Sequence, residues 1–138
     1  MRVEDLRYHS KDHQWFGLVN DLYPGRGVEL TVEGDQAPEG LATKLTLVRE
    51  LAADLDDVLE QLHQLAYHKY QGTQWAKPLA DIRAMYFLSS VTLKSDNTSW
   101  WLVLEPEFDV ETVYNHFLRF TMVKREIVWT NFARDVTA

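Results

Sequence analysis

The chain has no cysteine, which removes disulfides, thiolate nucleophiles and cysteine-ligated zinc or iron–sulfur sites together. No apolar run approaches the ~20 residues needed to span a bilayer. The opening, Met1-Arg2-Val3-Glu4-Asp5-Leu6-Arg7, lacks the apolar stretch of a secretory signal. A cytoplasmic location without membrane contact is therefore the expectation. Glycine is scarce, and Gly25-Arg26-Gly27 is too short for a phosphate loop and precedes no helix. No Gly-x-Ser-x-Gly elbow occurs. The acids Glu105, Glu107, Asp109 and Glu111 lack the glycine and closing glutamate of a calcium loop.

What is present begins with charge. The net charge of −7 is carried entirely by Glu29 to Glu60, where nine acids face only Lys44 and Arg49; the rest of the chain balances. Such a segment favours basic partners and repels nucleic acid. With 138 residues, 46% of them apolar, the chain fits one domain, 1–138, with a core that needs no covalent staple.

The first dozen residues are polar and read as loosely ordered or helical. Gln14 to Val19 and Gly27 to Glu33 read as strands, the second alternating Val28, Leu30 and Val32 against Glu29, Thr31 and Glu33. Pro24-Gly25 between them suits the centre of a type II turn, so an N-terminal β-hairpin is expected. Leu41, Leu45, Val48, Leu51, Ala52, Leu55, Val58, Leu59, Leu62, Leu65 and Ala66 then recur at helical spacing, predicting one long helix to about Lys69. Gly72 stops it. A polar residue at Leu55, in mid-stripe, should unfold the domain.

After a connector at 71–79, Ile82 to Lys94 reads as a strand with Met85, Phe87, Val91 and Leu93 on one face. Ser99 to Glu105 reads as another, and Glu126 to Phe132 as the last. Between these, Val110, Val113, Tyr114, Phe117 and Leu118 fit a helix capped by Asp109. With Phe120 and Met122 they also fit a strand, and the aromatics favour a strand from Tyr114 to Val123. The expected fold is α+β: one long helix on a mostly antiparallel sheet, preceded by the hairpin.

Two surfaces and one pocket are candidates for function. Glu50, Asp54, Asp56, Asp57 and Glu60 lie on the solvent side of the helix stripe and suit a basic protein partner. Adjacent Trp100 and Trp101 must face opposite sides of the sheet. The helix covers one side only, so Trp101, Phe117 and Val128 fall on a second apolar face. Either the hairpin folds over that face or it is an interface for a partner or a homodimer. The pocket candidate lies between helix and sheet, lined by Tyr86, Trp100, Tyr114 and His116, with His116 as the proton or ligand contact. His9 and His13 have metal-ligand spacing only if helical, and solvated histidines are the plainer reading. His63 and His68 read as a helix-flank residue and a partner of the helix dipole. No group of side chains combines nucleophile, base and orienter, so no catalytic residue, metal or cofactor is expected.

The opening hairpin (Trp15-Phe16-Gly17, then Val28 to Val32), the leucine helix, the Trp strand after Asp96-Asn97 and His116-x-Leu118-x-Phe120 together resemble small bacterial proteins of unknown function. Some of these are encoded as immunity proteins beside polymorphic toxins. The resemblance implies a non-enzymatic inhibitor or adaptor that docks through an acidic face. The alternative is a small-ligand-binding or enzymatic α+β domain using the His116 pocket.

Overall fold

The computed structural model describes residues 1–23, 25–107 and 116–132. After a 3-10 turn at Val3–Asp5, the described elements run β1 (Arg7–His9), β2 (Gln14–Tyr23), β3 (Arg26–Glu33), α1 (Pro38–Ala53), α2 (Leu55–Tyr70), α3 (Leu79–Met85), β4 (Tyr86–Leu93), β5 (Ser99–Pro106), β6 (Leu118–Val123) and β7 (Glu126–Thr130). The strands form one seven-stranded sheet in sequence order, β1 to β7. Every neighbouring pair is antiparallel except β3 and β4, which are parallel. A parallel pair needs a long crossover, and the three helices supply it.

The expectation of one long helix on a mostly antiparallel sheet is corrected in two respects. The helical segment is broken at Asp54, leaving α1 and α2 of 16 residues each. Asp54 sits at φ −98°, ψ 7°, outside helical geometry. An unbroken helix over Leu41–Lys69 would run ~43 Å, while eight-residue strands such as β4 and β5 span only ~27 Å. The break lets both halves keep their stripe on the sheet, with Leu51 and Leu55 buried on either side of it. The second correction is that the sheet is mixed. The hairpin β2–β3 does not precede the sheet as a separate unit; it is the sheet's first half, joined through β3 to β4.

The segment read as connector and strand start also differs. Leu79–Met85 is helical, and Ile82 is buried from that helix. A bulge between Leu88 and Ser90 shifts the alternation of β4 by one residue. Tyr86, Leu88, Val91 and Leu93 therefore face the core, in place of Met85 and Phe87 with Val91 and Leu93. Strand β6 begins at Leu118; residues 109–115, on which helix and strand readings competed, lie outside the described residues. So does Pro24, although Gly25 has the positive φ of 78° that the third position of a type II turn requires.

All three helices pack on one face of the sheet. Leu41, Leu45, Val48 and Leu51 from α1, with Leu55, Val58, Leu62 and Ala66 from α2, meet Leu30, Val91, Leu102 and Phe120 from the strands in one buried cluster. The N-terminal residues are ordered on the same side. A side chain at Gly17 would meet the Asp5 carbonyl oxygen at 2.4 Å, so glycine there admits the chain that leads into β1. Helices and core thus occupy one side, and the other side of the sheet has no layer upon it among the described residues.

Candidate functional site

The open face follows from strand alternation. One residue from each strand lines up in a single cross-strand row: Arg7 opposite Phe16, then Thr31, Thr92, Trp101, Thr121 and Trp129. Trp101 is 51% exposed and Trp129 52%, while Trp100, on the other side of β5, is buried. Thr121 separates the two exposed indoles, which stand two strand spacings, ~10 Å, apart. A groove of about 490 Å³ opens beside them, floored by Ser90, Thr92 and Thr121, with Arg119 at its wall. Indole walls with a hydroxyl and guanidinium floor can grip an apolar or planar group while satisfying its polar edge.

The face is held firm. Lys94 places its ammonium 3.4 Å from the centre of the Trp101 ring and 2.6 Å from Glu33, so the indole is backed by a cation that is itself paired. At the other end of the row His9 meets Phe16 edge-on at 6.1 Å. Arg26 stacks on Phe87 at 3.9 Å and pairs with Glu107. Arg7, Arg26, Lys94 and Arg119 on this face are matched by Glu29, Glu33, Glu105 and Glu107. The face is therefore electrically balanced, and the excess acid lies across the molecule on the helices.

The predicted acidic group is partly neutralised. Asp54, at the helix break, accepts from Arg125 Nε at 3.0 Å. Glu60 accepts from Arg83 Nη2 at 2.7 Å and Nε at 3.2 Å, and that guanidinium holds its carboxyl below the usual carboxylate range. Glu50, Asp56 and Asp57 are exposed and form no ion pair among the described residues. Trp101 and these acids thus sit on opposite sides of the domain and cannot serve one flat interface.

The four pocket residues do not come together around a cavity among the described residues. Tyr86 and Trp100 are buried in the core, His116 is exposed just before β6, and Tyr114 lies outside the described residues. His9 and His13 are not helical: the first is in β1 and the second adopts φ 51° in a turn. No group of three or more His, Asp or Glu among the described residues stands close enough to hold a metal. No helix among them is long and apolar enough to cross a membrane.

Of two further residues of interest, Trp129 escaped the reading of the sequence, and His63, read there as a helix-flank residue, is corrected. His63 is buried, with Nε2 2.9 Å from the Tyr86 carbonyl oxygen, beside the Tyr70–Tyr86 hydroxyl contact at 3.3 Å. Its spacing from Leu59, Ala66 and Tyr70 marks a face continuous with the stripe, and that signal could have found it. Trp129 reaches the open face through an irregular register between Thr121 and Met122, which leaves no trace in simple alternation. Compared with known protein families, characterised proteins and solved structures, the chain finds no match.

Proposed function

We propose that this chain is a non-enzymatic protein-interaction domain whose working surface is the open face of the sheet. The observation that carries the reading is the pair Trp101 and Trp129, each about half exposed in one cross-strand row. Exposed, well-backed tryptophans are the side chains most often found to dominate binding energy. Leu18 and Phe117 add apolar surface to the same face, more than an unpartnered domain normally displays. The test is native mass spectrometry of the protein purified gently at low salt from its host. The expected result is a stoichiometric complex that disappears in the Trp101→Ala/Trp129→Ala variant. A bare wild-type monomer, or a complex indifferent to both substitutions, ends the reading.

A second reading, the immunity-type inhibitor or adaptor that takes a basic partner on its helices, is favoured by one observation. Glu50, Asp56 and Asp57 are exposed without ion pairs among the described residues, which leaves the helix layer net negative and suited to steering a cationic surface. The corresponding expectation is a complex lost on Asp56→Lys/Asp57→Lys and dissociated by salt. Survival of the complex through that charge reversal removes this reading.

A further inference from the structure

We propose that the occupant of the open face is a second copy of this chain, in an isologous dimer whose two-fold axis runs parallel to β4 past Thr92. The proposal rests on the open face being the working surface and names the partner that surface takes.

Size is the first argument. Seven strands spaced ~4.8 Å apart, averaging about seven residues at ~3.3 Å each, give a flat patch of order ~750 Å² before side-chain relief. That is close to the ~800 Å² per partner of a standard stable interface once relief is added. Charge is the second. A two-fold pairing through the helices would bring the exposed acids Glu50, Asp56 and Asp57 of one copy toward the like-charged helix layer of the other. The sheet face instead sets cations and anions in equal number against the same balanced set; Lys94, which follows β4 and so lies by its own mate at the axis, is already paired with Glu33 at 2.6 Å.

The third argument is the row itself. An in-plane two-fold along the central strand lays β1 over β7, β2 over β6 and β3 over β5 of the other copy. Read against its own reverse, the row then opposes large to small. Trp101 meets Thr31 and Phe16 meets Thr121, while Arg7 meets Trp129 in cation–π contact. Thr92 meets its own mate at the axis. Two sheets packed face to face stand ~10 Å apart with strands within ~30°, so bulky and small residues must alternate across the gap for the layers to close. The alternative two-fold, across the strands, would set each indole against its own copy.

Sedimentation equilibrium over micromolar concentrations tests the dimer, and a residue swap tests its register. Wild type is expected to dimerise. Trp101→Thr empties the space over Thr31, and Thr31→Trp overfills it, so each alone weakens dimerisation about tenfold or more. The double variant Thr31→Trp/Trp101→Thr restores large against small and recovers most of the affinity, a coupling that only residues in contact display. Circular dichroism confirms that each variant folds. A monomeric wild type overturns the proposal, as does a dimer for which the swap fails to compensate. The mass-spectrometry result separates the two levels. A complex with another protein that needs Trp101 and Trp129, beside a monomeric pure chain, overturns the second copy and keeps the face. A bare monomer overturns both.

Discussion

His63 Nε2 lies 2.9 Å from the carbonyl oxygen of Tyr86, and because a carbonyl only accepts, the neutral ring must carry its proton on that nitrogen. Burial is the main influence on the ring and pushes its pKa below the ordinary 6.5, against the smaller opposing pulls of the Tyr86 carbonyl and Glu60. The unfolded chain therefore binds a proton that the folded one refuses, and stability rises with pH in that range. The contribution of His63 is fully present above pH 6.5. It falls as the pH drops below that value and levels off once the folded ring also protonates. Urea unfolding of wild type and His63→Gln at pH 7.5 and pH 5.5 checks this. The variant, which keeps a donor for Tyr86, is expected to lose less stability between the two pH values. Equal losses would mean that His63 ionises alike in both states.

Gly17 is where the start of the chain crosses the core side of the sheet. A Cβ there meets the Asp5 oxygen at 2.4 Å and a Leu6 methyl at 2.6 Å, and the backbone oxygen cannot rotate away. Gly17→Ala is expected to destabilise by about 1–3 kcal/mol, the usual range for overpacking. Amide exchange should show where the strain goes: faster exchange in β1, with β4 to β6 unchanged. Uniform acceleration across the sheet would mean that the N-terminal segment and the core open together.

Asp96 organises the β4–β5 hairpin tip. Its carboxylate accepts from the Ser99 hydroxyl at 2.6 Å and from the backbone N–H groups of Thr98 and Ser99 at 2.9 and 2.8 Å. These bonds, the hydroxyl first, lower its pKa to about 2. Since the folded value lies below the unfolded one, the associated stability is present above pH 3.8 and is lost as the pH falls toward 2. Carboxyl NMR titration should place Asp96 near 2 in wild type and higher in Ser99→Ala. A titration near 4 in both proteins would contradict the hydrogen-bonded tip.

How much of this was legible follows from which signals are local. The leucine stripe, the opposed faces of Trp100 and Trp101, the positive φ of Gly25 and the turn at Asp96 all depend on neighbours a few residues away, and each holds in the structure. The break at Asp54 was hidden because the stripe runs through it: Leu51 and Leu55 keep helical spacing whether or not the backbone bends between them. The bulge at Ser89 was hidden because one inserted residue puts the faces on its two sides out of phase, so alternation carried back from Val91 and Leu93 misplaced Phe87. The parallel joining of β3 to β4 is a long-range fact that no window of sequence contains. For the candidate surface, Trp101 was visible from its neighbour Trp100, but Trp129 and the seven-residue row depend on the register of all six strand pairs.

Lys124 and Arg125 form a two-residue hairpin tip with φ of 51° and 66°, both in the left-handed region that asparagine and glycine occupy at much lower cost. Arg125 has reasons to stay: its Nε binds Asp54 at 3.0 Å, and its carbonyl accepts from Gln61 at 3.1 Å. The tip is thereby tied to the helix break and to α2. Lys124 forms no ion pair or hydrogen bond among the described residues, so its conformational cost has no visible compensation. Lys124→Asn is therefore expected to stabilise the domain, by about 0.5–1 kcal/mol. Arg125→Gly should gain less or lose stability, because relief of strain comes with release of Asp54 and the helix break. Urea midpoints of the two variants decide the point. A larger gain at Arg125 than at Lys124 would show that the Asp54 contact contributes little and that backbone strain alone governs this turn.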